Sequence, residues 1–412
     1  MLKAGALYFS IVVAFFIAVF CASLIMLAAH YRNGYSKELR MIRLVNNLES
    51  VQARVLAVEL GTGYGAYETD LYGDGLDSVS ISKKAWGVFD LAVVKSFVFS
   101  DTLKKAFLTG MDKHSDSVTL YLSDEDRPLS VSGDTRITGD VEVPKSGMRK
   151  SYAEGRAYSR DDMVDGKIRD SGRKLKPLVK AYTAGLDMEL EKSGILLRQL
   201  PEHDLQVSFL DSVSRFRVRP DQVLKHSLSG HIVLYADSAV VLSSTCRLEG
   251  VLLFARSIHI EAGFKGNAQL FARDSIIIGD EVTLDYPSVV GLVAEQKLVG
   301  QGKITTGKEL MFNGVLFAAM EGKSLLPLMT SFGESNTING EIYTDGVVKM
   351  SKGFILNGKV SCNRFLMQTK VSLYENFLID VVFNRRARSS YFLTSGIFTD
   401  KPGKSKVLKW LD

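Results

Sequence analysis

The chain is poor in the residues that build reactive centres. Its 412 residues include only three cysteines, six histidines and two tryptophans. Cys21, Cys246 and Cys362 form no C-x-x-C pair, which excludes a disulfide framework and leaves structural zinc without a ligand set. No histidine has a ligand-spaced partner, so neither a metal nor a cofactor is expected. The G-x-S-x-G, P-loop, H-E-x-x-H and G-x-G-x-x-G patterns are all missing. Low-complexity tracts are absent too, and 46% apolar content supports a sizeable core.

Charge of either sign is missing from residues 4–29, and that absence is the strongest signal in the chain. A helix needs roughly 20 apolar residues to cross a bilayer core, so the run from Ala6 to Ala29 is long enough. Beyond it Met41, Leu44, Leu48, Val51, Val55 and Val58 recur at spacings of three and four, the seam of an amphipathic helix. One long helix is expected, a membrane half (1–30) followed by a packing half (31–60), ended by the glycines of Gly61–Gly65. The run exceeds the usual signal-peptide core of about 7–15 residues, and Met26 spoils the best cleavage site, so an uncleaved anchor is expected. Arg32, Lys37, Arg40 and Arg43 favour a cytoplasmic C-terminal flank, whereas a long following domain can translocate despite such charge.

Met1-Leu-Lys-Ala-Gly5 before Ala6-Leu-Tyr-Phe-Ser10 is a short basic leader ending in glycine, followed by a long apolar helix. The arrangement resembles type IV pilin-like proteins, in particular minor pseudopilins of the K and X types, over about 60 residues. Ser36–Glu59, with Asn46 and Asn47, is similar to the amphipathic continuation of such helices. The resemblance implies cleavage between Gly5 and Ala6, packing of the helix in a filament or its tip, and the bulk of the chain outside the cytoplasm. Ser10 stands where most pilins carry a glutamate, a departure shared by K-type members. An ordinary signal-anchor explains the same residues.

Residues 61–145 read as a small β-rich domain on which the helical seam packs. Strand-like Trp86–Ser100, Lys105–Leu108 and Ser117–Leu122 support it. Asp124, Glu125 and Asp126 lack the calcium-loop spacing and read as a turn. Residues 146–228 form a polar mixed insertion, helical over Leu178–Leu200. Its basic stretch, 145–176, carries ten Lys/Arg against five Asp/Glu and reads as a solvated loop, with contact to anionic lipid, glycan or nucleic acid as the alternative.

From residue 229 to 369 one phrase recurs: glycine, then apolar residues, often an aromatic, then alanine. Its glycines are Gly230, Gly250, Gly266, Gly291, Gly314, Gly340 and Gly358, separated by 20, 16, 25, 23, 26 and 18 residues. Stacked coils account for the recurrence, with glycine at the corners and loops such as Glu321–Asn336 projecting; a β-sandwich gives no reason for it. The pattern resembles bactofilin-type and other bacterial β-helix scaffolds. Residues 370–412 read as a capping hairpin around Asp400–Gly403, and Arg385, Arg386 and Arg388 as a solvated turn.

The fold expected is mainly β with an N-terminal transmembrane helix: a small α+β domain, then a parallel β-solenoid. The function expected is non-enzymatic, a single-pass inner-membrane protein that serves as a structural component of a pilus-like or secretion-related assembly. Its partners would be the lipid bilayer and other envelope or pilin-like subunits, with glycan a further candidate and no specific nucleic acid. The alternatives are a signal-anchored β-helix scaffold or carbohydrate-binding protein, and a polysaccharide lyase or hydrolase using Asp274, Asp280, Glu281 and Asp285.

Overall fold

The computed structural model describes residues 2–57, 64–73, 75, 77–113, 115–192, 197–220, 222–295, 300–322, 326–398 and 404–411. Its contacts divide the chain into two units. The first comprises residues 1–55, 66–82 and 94–105; the second comprises 56–65, 83–93 and 106–412.

The first unit is built on α1, Leu2–Ala57. No proline interrupts the helix, and the polar side chains of its apolar half are satisfied within it. The Ser10 hydroxyl donates to the Leu7 carbonyl and the Ser23 hydroxyl to the Val19 carbonyl, both at 2.9 Å. Leu44, Leu48, Val51 and Val55 are buried, as the periodicity predicts. Met41 is not: it is 49% exposed and stands outside the packed seam, because burial begins only at Leu44. Val58 and the glycines up to Gly63 lie outside the described residues.

The seam faces alternating strand residues. Strands β1 (Gly65–Thr69), β2 (Asp77–Trp86), β3 (Phe89–Val98) and β4 (Asp101–Met111) lie in that order in a five-stranded sheet with Ser405–Trp410. In the first unit β2 and β3 bury Val79, Ile81, Val94 and Val98. Arg40 pairs with Asp101 at 2.8 Å and Arg43 with Asp77 at 2.5 Å, fixing the helix to two strands. Each buried seam residue contributes about 1.5–3 kcal/mol.

The second unit is mainly a parallel sheet that closes on itself. Successive strands pair in register with a partner one repeat further along the chain. One column runs Gln199, Arg217, Tyr235, Phe254, Phe271, Gly291, Phe317, Tyr343, Ser361, Tyr121, Glu142 and Arg169. Side chains alternate across a strand, so the residues just before these face the other way. Leu234, Leu253, Leu270, Val290, Leu316, Ile342, Val360, Leu120 and Val141 accordingly share one buried core. A second column, Val240, Ile258, Ile276, Ile304, Thr330 and Val348, lines the same enclosure. So does a third, Leu284, Phe312, Ile338, Leu356, Phe383 and Ile137. Antiparallel sandwich pairing does not occur in these columns.

Stacking order and chain order differ, and this corrects the expected domain limits. Residues 118–122 pair with 360–362, and 140–143 then pair with 118–121 and with 168–170. The parallel columns therefore draw on residues expected in a separate 61–145 domain and in the 146–228 insertion. One end of the ladder is Ile168–Asp170 and the other is Arg198–Gln199. The chain returns between them through α2, Lys180–Glu191, whose Tyr182, Leu186 and Leu190 are buried with the aromatic column. Leu328–Ser331, expected in a projecting loop, is a strand paired with 346–349. Among the described residues of 370–412 the expected capping hairpin is not formed: Val382–Asn384 joins the ladder, and Ser405–Trp410 pairs antiparallel with β4. Asp400–Gly403 lie outside the described residues.

Candidate functional site

Gly5, Ala6 and Ala29 all lie on α1 with exposed side-chain positions, and the apolar segment has none of its residues covered. Leu7, Phe9, Phe16, Phe20 and Ile25 are large and exposed along it. Among the described residues this is the one helix long and apolar enough to cross a membrane. An apolar surface of this size needs a non-aqueous neighbour, either lipid or other helices.

The repeat glycines divide into groups. Gly314, Gly340 and Gly358 stack directly on one another. A Cβ on Gly340 would lie 1.8 Å from the Gly314 carbonyl oxygen, so the rungs approach too closely for any side chain. Asn313, Asn339 and Asn357 form a ladder beside them: the Asn339 and Asn357 side-chain amides each donate to the preceding Asn oxygen at 2.8 Å, and that of Asn313 donates to the Leu284 carbonyl. Gly250 sits at a register shift and Gly230 against the Val207 carbonyl, while Gly266 pairs with Leu284 at a strand start. Gly291 is no corner. It occupies an aromatic position in its column, and the Phe271 and Phe317 rings fill the space its side chain would take.

The charged candidates are not gathered. Asp274 pairs with Arg256, Asp280 accepts the Lys308 N–H at 2.7 Å, and the Asp285 carbonyl accepts from Ser288 and Asn267. Glu125 is held by Arg364 and Asp126 by Arg173. In the basic stretch Arg156, Arg160, Arg169, Arg173 and Lys176 each pair with a carboxylate of a neighbouring segment. His231 packs against both the Trp86 and Phe209 rings, which also touch each other, and burial lowers its pKa. Cys246 and Cys362 are buried and free. No metal-binding group of His, Cys, Asp or Glu occurs among the described residues.

Sequence reasoning missed the densest charge cluster. Of the arginines expected in a solvated turn only Arg386 is exposed; the Arg385 and Arg388 side chains are 5% exposed. Glu341 draws them in. Its Oε1 accepts from Arg388 at 3.0 Å, its Oε2 accepts from the Thr394 hydroxyl at 2.9 Å, and Arg385 Nη1 stands 4.0 Å away. Arg388 also lies 4.8 Å over the Phe392 ring. Lys359 pairs with Asp116 at 2.9 Å, and Arg385 Nε donates to the Asp116 carbonyl.

Burial alone would raise the Glu341 pKa, but Lys113, Arg388, Arg385 and Lys359 together hold it below the usual value. The Lys113 pKa is lowered, chiefly by burial and only partly offset by Glu341. The column explains how the pair arose. Val233, Leu252, Gln269, Val289 and Val315 lead to Glu341 and Lys359, so an acid and a base replace apolar residues at its end. That replacement was legible in the phrases Gly340-Glu-Ile and Gly358-Lys-Val. Beside the cluster is a cavity of about 50 Å³ lined by Lys113, Lys176, Lys359, Glu341, Tyr121 and Ser361, with Leu175, Leu178 and Phe398 on its apolar side.

Neither the family models nor the curated proteins contain a match to this chain. Among solved structures, the competence-associated pilin ComZ from Thermus thermophilus aligns at 10% identity over 85% of this chain and 86% of its own, with a TM-score of 0.24. A likeness that low carries no argument about the chain.

Proposed function

We propose that the protein is a membrane-anchored, non-enzymatic structural component of a pilus-like or secretion-related assembly, with its ladder a β-solenoid that presents a surface to partner subunits. One observation carries the reading. The uncovered apolar segment and the buried seam belong to the same uninterrupted helix, so the anchor is also part of a folded core. A simple tether needs no such continuity. The pilin-like leader adds cleavage between Gly5 and Ala6, with the helix passing from the bilayer into contact with other subunits and the bulk of the chain on the extracytoplasmic side. The three parallel columns around one core support the solenoid, which stacks repeats that cannot bury their apolar faces alone.

Mass spectrometry of the mature protein tests the assembly reading. The expected N-terminus is Ala6; retention of Met1–Gly5 would leave the signal-anchored scaffold in its place. Protease added to intact spheroplasts is expected to cut within residues 145–176. Protection there would put the second unit in the cytoplasm and overturn the envelope assignment.

A further inference from the structure

We propose that the cavity beside Glu341 is a binding site for one small oxyanion, a phosphate or carboxylate group, held by Lys113, Lys176 and Lys359. The first support is the charge surplus. Lys113, Lys359, Arg385 and Arg388 face only Glu341 and Asp116, and both carboxylates are already engaged. The second is the state of the donors. Among the described residues Lys113, which lines the cavity, has no side-chain hydrogen-bond or ion-pair partner. A half-buried ammonium without an acceptor is costly, and an anion beside it removes that cost.

Size is the third support. One water needs roughly 10–15 Å³ of such space, so a cavity of about 50 Å³ admits a small oxyanion and excludes a whole sugar ring. Lys176 closes the outer side: its ammonium lies 5.6 Å over the Tyr121 ring and 3.7 Å from Glu142, and it is 75% exposed. The apolar side, Leu175, Leu178 and Phe398, favours an anion carried on a larger molecule, whose uncharged part emerges past Lys176.

Isothermal titration of the full chain in detergent, at constant ionic strength, tests the site with inorganic phosphate, sulfate and glucuronate, and with chloride as control. Saturable binding of at least one oxyanion is expected, without competition from chloride. Phosphate and sulfate alone would identify a free-ion or phosphate-group site; glucuronate alone would identify a carboxylate on a glycan. Absence of saturable binding up to about 10 mM, beyond the range of a weak millimolar site, overturns the proposal. Lys113→Gln is expected to weaken binding about tenfold or more, the loss of one charge-assisted hydrogen bond. Lys176→Gln, at an exposed position that should not disturb folding, is expected to weaken it about threefold. Unchanged affinity in Lys176→Gln and in folded Lys113→Gln would likewise overturn it. The outcome is independent of processing at Gly5, so the assembly reading and the anion site can fail separately.

Discussion

The two units bury their apolar residues by different rules. In the first, one helical seam meets one sheet face, and each residue is buried by the periodicity of its own element. In the second, a residue is buried by what stands one repeat before and after it. The aromatic column shows this: Phe254 stacks between Tyr235 and Phe271 at centroid distances of 5.7 and 5.1 Å. A seam tolerates an exposed end, as at Met41. A ladder tolerates little, because every rung is the floor of the next.

The comparison breaks most sharply at a glycine. Gly340→Ala forces a Cβ into the Gly314 backbone, and we expect a loss of ~4 kcal/mol or more, seen as collapse of the thermal transition of the full chain in detergent. Glu341→Ala follows, with about 3–5 kcal/mol lost because Arg385 and Arg388 would be left buried and unpaired. The same carboxylate sets a pH window. Its folded pKa lies below the ordinary value of 4.5, so its stabilisation is complete above that value and disappears as pH falls through the depressed one. Glu341→Gln should flatten this part of the acid limb; an unchanged limb would mean that Glu341 is not held ionised.

Helix substitutions sharpen the other side of the comparison. Leu48→Ala should cost about 2–5 kcal/mol, whereas Phe16→Ala should stay within about 0.5 kcal/mol in detergent. Equal losses would contradict the division of α1 into covered and uncovered halves. A small gain is expected at Gly34, which has open space around its Cβ position and lies mid-helix. Gly34→Ala should raise stability by about 0.5–1 kcal/mol, measured as a higher denaturant midpoint.

What was legible in the sequence was local or repetitive. The helix, its seam from Leu44 to Val55 and the stacking of Gly314, Gly340 and Gly358 all follow from spacing within one segment or between copies of one phrase. What was hidden depends on distant pairing. Nothing near Leu120 announces Val360, and Gly291 reads as a corner until its neighbours are known to be Phe271 and Phe317. Arg385 and Arg388 looked solvated because arginines in a polar segment usually are, and their acid lies some forty residues earlier. The anion cavity draws on five separate parts of the chain, so no contiguous motif could carry it.

The order of the ladder has a consequence for biogenesis. A stack whose neighbours follow the chain could grow rung by rung as residues leave the ribosome or translocon. Here Thr119 and Gly358, joined by a hydrogen bond, are separated by 239 residues, so the Val118–Leu122 strand pairs early with 140–143 but meets its other neighbour, 360–362, only much later in synthesis. Until then the edge that 360–362 will cover stays open, a state prone to wrong pairing. Late closure of so long a loop predicts slow acquisition of the native state and a need for a chaperone that shields early strands until the last ones arrive.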